Sequence, residues 1–236
     1  MNRIYLNHLG KSFRFALTAS FTIVTMTLVT FFLAEPTIGH GQVDTRTFTI
    51  KQTITDETAF KVYPSNVTMN GSIAGVTGGT ANGSTTFTVS SNNATGYYVD
   101  IAFYNNGTAN AMLGDVTASE ALRDYGGDVA GEPSYSFTAS TAAQFAYTVT
   151  SDTAADVDQS FLDNGSSCNQ AGGSQTADRC WKSPDTAAFR IIDRGSASVS
   201  GATSTISFRV VVPSGASPAV TADTYTATAT LSLYTQ

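Results

Sequence analysis

Across residues 224–234 apolar and hydroxyl side chains alternate without a break. Tyr225, Ala227, Ala229, Leu231 and Leu233 fall on one side; Thr226, Thr228, Thr230 and Ser232 fall on the other. Successive side chains of a strand point to opposite faces, so a period of two describes a strand with one face in a core and one in water. The pattern recurs along the chain. Residues 204–212 group Ile206, Phe208, Val210 and Val212, and residues 84–90 group Phe87 and Val89. After the turn signal Asn92-Asn93-Ala94-Thr95-Gly96, Tyr97, Val99, Ile101 and Phe103 alternate with Tyr98, Asp100 and Ala102. Phe145, Tyr147 and Val149 mark another strand, Tyr135 with Phe137 a further one, and residues 186–193 a shorter one. Residues 45–54 (TRTFTIKQTI) place Phe48, Ile50 and Ile54 on one face, with Gln52 interrupting. Half-buried strands joined by Gly, Asn and Ser turns predict an all-β fold, a single antiparallel β-sandwich of immunoglobulin-like or jelly-roll-like type.

Helical signals are few. Thr117-Ala118-Ser119-Glu120 has the form of a capping box ahead of Ala121-Leu122, and Val157 and Phe161 stand four apart within residues 152–162. Both are read as short connecting helices. The stretch 105–133, which contains the capping-box signal, reads as an irregular excursion, the place where a binding surface would sit.

The chain opens differently. Arg3, Lys11 and Arg14 precede an uncharged run from Phe15 to Ala34, the layout of a secretory signal followed by a hydrophobic helix. The run approaches the ~20 residues that cross a bilayer, so residues 1–41 are expected to act as a signal peptide or an N-terminal membrane anchor. Residues 42–236 form the exported domain, placed outside the cell or on its surface. Membrane contact is expected only through that helix, if it is not cleaved.

Charge narrows the functional classes. Charged residues make up 13% of the 236 residues, against about 25% in an ordinary domain, and the formal net charge is −6. Cleavage before Gln42 would remove Arg3, Lys11, Arg14 and Glu35 and take the charge from −6 to −8. Nucleic acid, which needs a basic patch, is excluded as a partner. Both histidines, His8 and His40, precede Gln42. The exported domain therefore lacks the commonest general base and cannot assemble a Ser-His-Asp or Cys-His nucleophile. A non-enzymatic protein without a cofactor is expected; the enzymatic alternative is a hydrolase with two facing carboxylates, for which the exported glutamates Glu57, Glu120 and Glu132 lie in no recognisable site motif.

Cys168 and Cys180 are the two cysteines, both in the exported part, and in an oxidising compartment they are expected to form a disulfide. The enclosed segment is polar and contains glycine, as suits a surface loop stapled at its base.

Tyr63-Pro-Ser-Asn-Val-Thr-Met-Asn-Gly71, Thr86-Phe-Thr-Val-Ser and Asn93-Ala-Thr-Gly-Tyr97, with the terminal Asp223-Thr-Tyr-Thr-Ala-Thr, resemble WxL-like and related bacterial cell-surface β-sandwich proteins. The last strand is also similar to that of spore-coat-U-like and pilin-like domains. The resemblance implies a surface role and, for WxL domains, peptidoglycan binding. The chain departs from that pattern at its single tryptophan: Trp181 stands in Cys-Trp-Lys-Ser, without Trp-x-Leu.

Three sets of candidate site residues follow. Tyr98, Tyr104 and Trp181 are the aromatics expected to contact a ligand such as a cell-envelope polysaccharide. Phe48, Ile50 and Ile54 mark the strand expected to join copies by edge pairing, a route to adhesion or self-association. Asp152, Asp156, Asp158 and Asp163 are the one acidic cluster with oxygen ligands for Ca²⁺, although their spacing misses the EF-hand pattern and the expectation is no metal. Asn-x-Ser/Thr triplets at Asn66, Asn70, Asn82, Asn93, Asn106 and Asn164 read first as turn chemistry.

Overall fold

The computed structural model describes residues 3–33, 46–117, 119–139 and 141–236. The chain divides into two units, Met1–Thr53 and Ile54–Gln236. The expected boundary at Gly41 and Gln42 lies outside the described residues.

The first unit carries α1 (Arg3–Leu33), the one α-helix among the described residues. Thr18, Thr22, Thr25 and Thr30 each return their hydroxyl to the carbonyl one turn earlier, at 2.5–2.9 Å. With those polar groups satisfied by the helix itself, α1 presents Phe15, Leu17, Phe21, Ile23 and Val24 outward, all exposed. Among the described residues no helix is long and apolar enough to cross a membrane.

Among the described residues the second unit is built on nine strands: β1 (Thr58–Val62), β2 (Gly79–Ser91), β3 (Tyr97–Tyr104), β4 (Met112–Gly114), β5 (Ala121–Asp124), β6 (Gln144–Ser151), β7 (Phe189–Arg194), β8 (Ser198–Val212) and β9 (Tyr225–Thr235). They form one sheet in the order β1-β2-β8-β6-β5-β4-β9-β3-β7. The longest ladder pairs β2 with β8, from Gly79 opposite Val212 to Ser91 opposite Ser198. In β2, β3, β6 and β8 the apolar set of the alternation is inward: Phe87 and Val89 of β2, Val99 and Ile101 of β3, Tyr147 and Val149 of β6 and Ile206 of β8 are all about fully buried, whereas in β9 that set is only partly covered and Ala229 is exposed. Strands distant in the sheet order meet through these side chains. The Phe103 ring of β3 lies 6.0 Å from Phe145 and 5.2 Å from Tyr147, both of β6.

Gly96 closes the β2–β3 turn at φ +90°, and a Cβ there would run into the Arg194 carbonyl, so this position needs glycine. Asn93 Oδ1 accepts from the Thr95 backbone and hydroxyl, and its amide donates to the Gln236 carbonyl, which ties the turn to the chain end.

Four expectations are corrected. The sheet is mixed rather than antiparallel, because β5 runs parallel to β6; residues 125–143 between them are long enough for the crossover that parallel pairing requires. The capping-box signal starts no helix among the described residues, from which Ala118 is left out: Glu120 N–H bonds the Thr117 carbonyl and leads into strand β5, where Leu122 pairs with Met112. Tertiary pairing there outweighs a four-residue helix signal. Residues 152–162 form two short 3-10 turns, Ala154–Asp156 and Gln159–Phe161, with Val157 and Phe161 buried. Tyr135 and Phe137 lie in no strand; Phe137 instead packs on Tyr125 and Trp181 at 4.6 and 5.5 Å between rings.

Candidate functional site

Within one chain the segment expected to join copies lies in no strand. From Arg46 to Glu57 the backbone belongs to no strand, and Phe48, Ile50 and Ile54 are 82, 84 and 80% exposed. The segment enters the sheet at a fixed point: Asn92 donates its amide to the Thr55 carbonyl at 3.0 Å, and its Oδ1 accepts from the Glu57 N–H at 2.6 Å. Strand β1 follows at once and lies at one end of the sheet order, paired on one side with β2. Three large aliphatic and aromatic side chains left in water forgo about 1.5–3 kcal/mol each in burial. Period-two patterning predicts a strand; it does not supply the partner, and the described residues hold none.

Two concavities open on the sheet. The first, about 540 Å³, is apolar. Its floor is Met112, Leu122, Val210 and Val212, all buried. Met69, Ile73 and Val76 of the loop before β2, with Val220 and Tyr225, also line it; Val76 is 80% exposed. At the rim Asp223 accepts backbone N–H groups of Thr117, Thr224 and Val116, which hold its carboxyl below the usual range. Burial, with Glu120 and Asp223 nearby, pushes the Tyr225 hydroxyl up. No periodic signal exposes this groove in the sequence, because Met69, Ile73 and Val76 sit in a loop at irregular spacing.

The second, about 570 Å³, is polar, and its lining includes Asn66, Asn70, Asn82, Ser84, Asp178, Trp181 and Arg209. Arg209 organises it. Its Nε donates to Asn82 Oδ1 at 2.7 Å, its Nη2 pairs with Asp178 Oδ1 at 2.9 Å, and the guanidinium lies 4.4 Å from the Trp181 ring centre.

The expected aromatics separate. Trp181 is 1% exposed and donates its indole N–H to the Asp178 carbonyl at 3.0 Å, so it is a packing residue and offers no sugar platform. Tyr98 is half-buried between the Tyr234 ring, stacked at 4.9 Å, and the Arg190 guanidinium at 3.7 Å. Tyr104 is 62% exposed and donates to Asn106 Oδ1 at 2.9 Å. The three form no common patch in either concavity.

The four aspartates separate as well. Asp156 pairs with Arg194, Asp158 caps the turn at Ser160, and Asp163 accepts N–H groups of Gly165 and Thr176. Among the described residues no group of three or more His, Cys, Asp or Glu could hold a metal ion.

A buried charged group has no signature in the sequence. Lys182 Nζ donates to Asp128 Oδ2 at 2.5 Å, and Asp128 also accepts the Ser183 N–H. Asp185 lies near enough to act on both Asp124 and Asp128. Burial raises the Asp124 carboxyl to about 6, against the pull of the Ala111 N–H. Burial raises Asp128 too, in spite of Lys182, and lifts the Tyr147 hydroxyl well above its ordinary value. These groups lie across β5, the loop after it and the segment before β7, so only folding brings them together.

Cys168 and Cys180 are bonded, and Cys180 is buried beside Trp181. A disulfide fits an oxidising, extracellular environment. The sequence matches no protein-family model, and no curated protein aligns with it.

Proposed function

We propose that the chain is an exported structural protein of the cell surface whose copies join through residues 46–54. The observation that carries this reading is the exposure of Phe48, Ile50 and Ile54 on a segment outside every strand, tethered by Asn92 directly ahead of an end strand. Strand addition to another copy would pair its backbone and bury those side chains together. The finer architecture proposed is a β-sandwich: the contacts of Phe103 with Phe145 and Tyr147 support two layers within the one connected sheet. Residues 1–41 serve export in this reading, the absence of histidine after Gly41 argues against an enzyme, and the disulfide suits the compartment. Deleting residues 42–56 should leave a folded monomer that no longer assembles, read by sedimentation and electron microscopy. Continued assembly of that variant would sink the proposal.

A second reading is recognition of a cell-envelope polysaccharide in the polar groove, favoured by the convergence of Asn66, Asn70 and Asn82 with Asp178. Amides and a carboxylate suit sugar hydroxyls. Titration calorimetry of purified envelope glycan against the chain and its Asn70→Ala variant tests it: heat of binding that survives the substitution, or no heat at all, rejects the groove.

A further inference from the structure

We infer that Lys182 and Asp128 condense after folding to form an intramolecular amide bond, a covalent tie between the loop after β5 and the segment before β7. The bond lies within one chain and does not depend on how copies join. Three features of the pair carry it. The reacting groups are already in contact: Lys182 Nζ stands 2.5 Å from Asp128 Oδ2, and the two side chains are 5% and 13% exposed. The nucleophile is held in place. Lys182 N–H donates to the Tyr147 carbonyl at 2.7 Å, and its own carbonyl accepts the Tyr147 N–H at 3.1 Å. Its Nζ lies 4.8 Å from the centre of the Phe189 ring. The two carboxyl oxygens, finally, are distinguished: the Ser183 N–H makes its shorter approach to Oδ1, at 3.1 Å, while Nζ faces Oδ2.

Each feature serves one step of the condensation. Within the pair, one proton passes from the Lys182 ammonium to Oδ2, leaving an uncharged amine and an uncharged acid. Burial favours that neutral form of Asp128, and the charge of Asp185 adds to it, against the pull of Lys182 and the Ser183 N–H. The Nζ lone pair then forms a bond to Cγ. Negative charge develops on Oδ1, where the Ser183 N–H is aimed. A second Nζ proton passes to Oδ2, the Cγ–Oδ2 bond breaks, and one water leaves. The product is a secondary amide with Oδ1 as its carbonyl; nothing is oxidised or reduced, and no other reactant enters. Contact in a fixed geometry replaces the encounter that makes such a condensation slow in water. The product is also easier to bury, because an amide carries no charge whereas the ion pair bears the desolvation of two. The ion-paired chain is the reactant form, in which both charges are still present. The finished bond encloses the Cys168–Cys180 loop within a larger covalent loop, 128–182, which reductant does not open.

Mass spectrometry of the full chain, purified folded and then denatured, reduced and alkylated, tests this. After trypsin, residues 124–179 should remain attached to residues 180–190 in more than half of the chain, because an acylated Lys182 is no longer a cleavage site. The joined species should weigh one water less than the sum of the two peptides, and fragmentation should place the branch at Asp128 and Lys182. Lys182→Arg, which keeps the charge and loses the nucleophile, should carry its full intact mass. Recovery of residues 124–179 and 180–182 as separate peptides, with the joined species absent or a trace, overturns the inference. Loss of water that persists in Lys182→Arg, or that maps to other residues, overturns it as well. The parent chain decides the outcome by itself, so the test stands even where Lys182→Arg fails to fold.

Discussion

Lys182 and Asp128 form an ion pair at 2.5 Å, with side chains only 5% and 13% exposed. Lys182 also stands over the Phe189 ring at 4.8 Å, and its own backbone is bridged to Tyr147 of β6. The pair therefore pins the segment before β7 to the central strands. Burial raises the Asp128 carboxyl despite the ammonium, so ionising this carboxyl costs more in the fold than in the open chain. Removing one partner strands the other charge: Asp128→Ala should destabilise by about 3–5 kcal/mol in urea unfolding. The double variant Asp128→Leu/Lys182→Met should recover most of that loss, because no buried charge remains. A double variant no more stable than Asp128→Ala would contradict this account.

Asp124 gives stability a pH dependence of determinate sign. Its ordinary value of 3.8 is raised to about 6 by burial. Between those two values the folded chain holds a proton that the unfolded chain has released, so this group makes stability fall as pH rises through the window. Asn at 124 keeps an oxygen for the Ala111 N–H and carries no charge. Asp124→Asn should therefore remove this component and gain on the order of 2 kcal/mol at pH 7. Urea midpoints measured from pH 4 to 7 for both chains test it; parallel curves would locate the titration elsewhere.

The Cys168–Cys180 bond closes a loop with a sequence separation of 12. A loop of this length contributes on the order of 3 kcal/mol by restricting the unfolded chain. Reduction should lower the unfolding free energy by that amount, moving the denaturant midpoint down, and loosen the packing around Trp181, seen as a change in its fluorescence. An unchanged midpoint under reductant would show that the surrounding fold holds the loop without the bond.

Arg209 joins three neighbours, Asn82, Asp178 and Trp181. A lysine reaches the same region with a point charge but without the planar fork that serves all three. Arg209→Lys should cost about 1–2 kcal/mol and alter the Trp181 emission. If the variant matches the parent chain in both, the stack over Trp181 is incidental packing.

Strand content was legible because its signal is local. Tyr97, Val99, Ile101 and Phe103, or Ile206 and Val210, announce a buried face by spacing alone, and all six are buried. The turn at Asn93 and Gly96 was legible for the same reason, since the chemistry of a tight turn resides in its own few residues. The pairing of Cys168 with Cys180 needed only a count of cysteines and a compartment.

What stands opposite a residue was not legible, because it depends on contacts far apart in the chain. Parallel pairing of β5 with β6, the burial of Trp181 under Arg209, and the gathering of Asp124, Asp128 and Lys182 all join segments that are separate in sequence. The same limit applies to Phe48, Ile50 and Ile54. Alternation correctly shows that they suit one face of a strand, yet a strand exists only when a second one supplies its hydrogen bonds. Local side-chain order thus decided which faces are apolar. Tertiary packing decided which of those faces were covered, and it left these three in water.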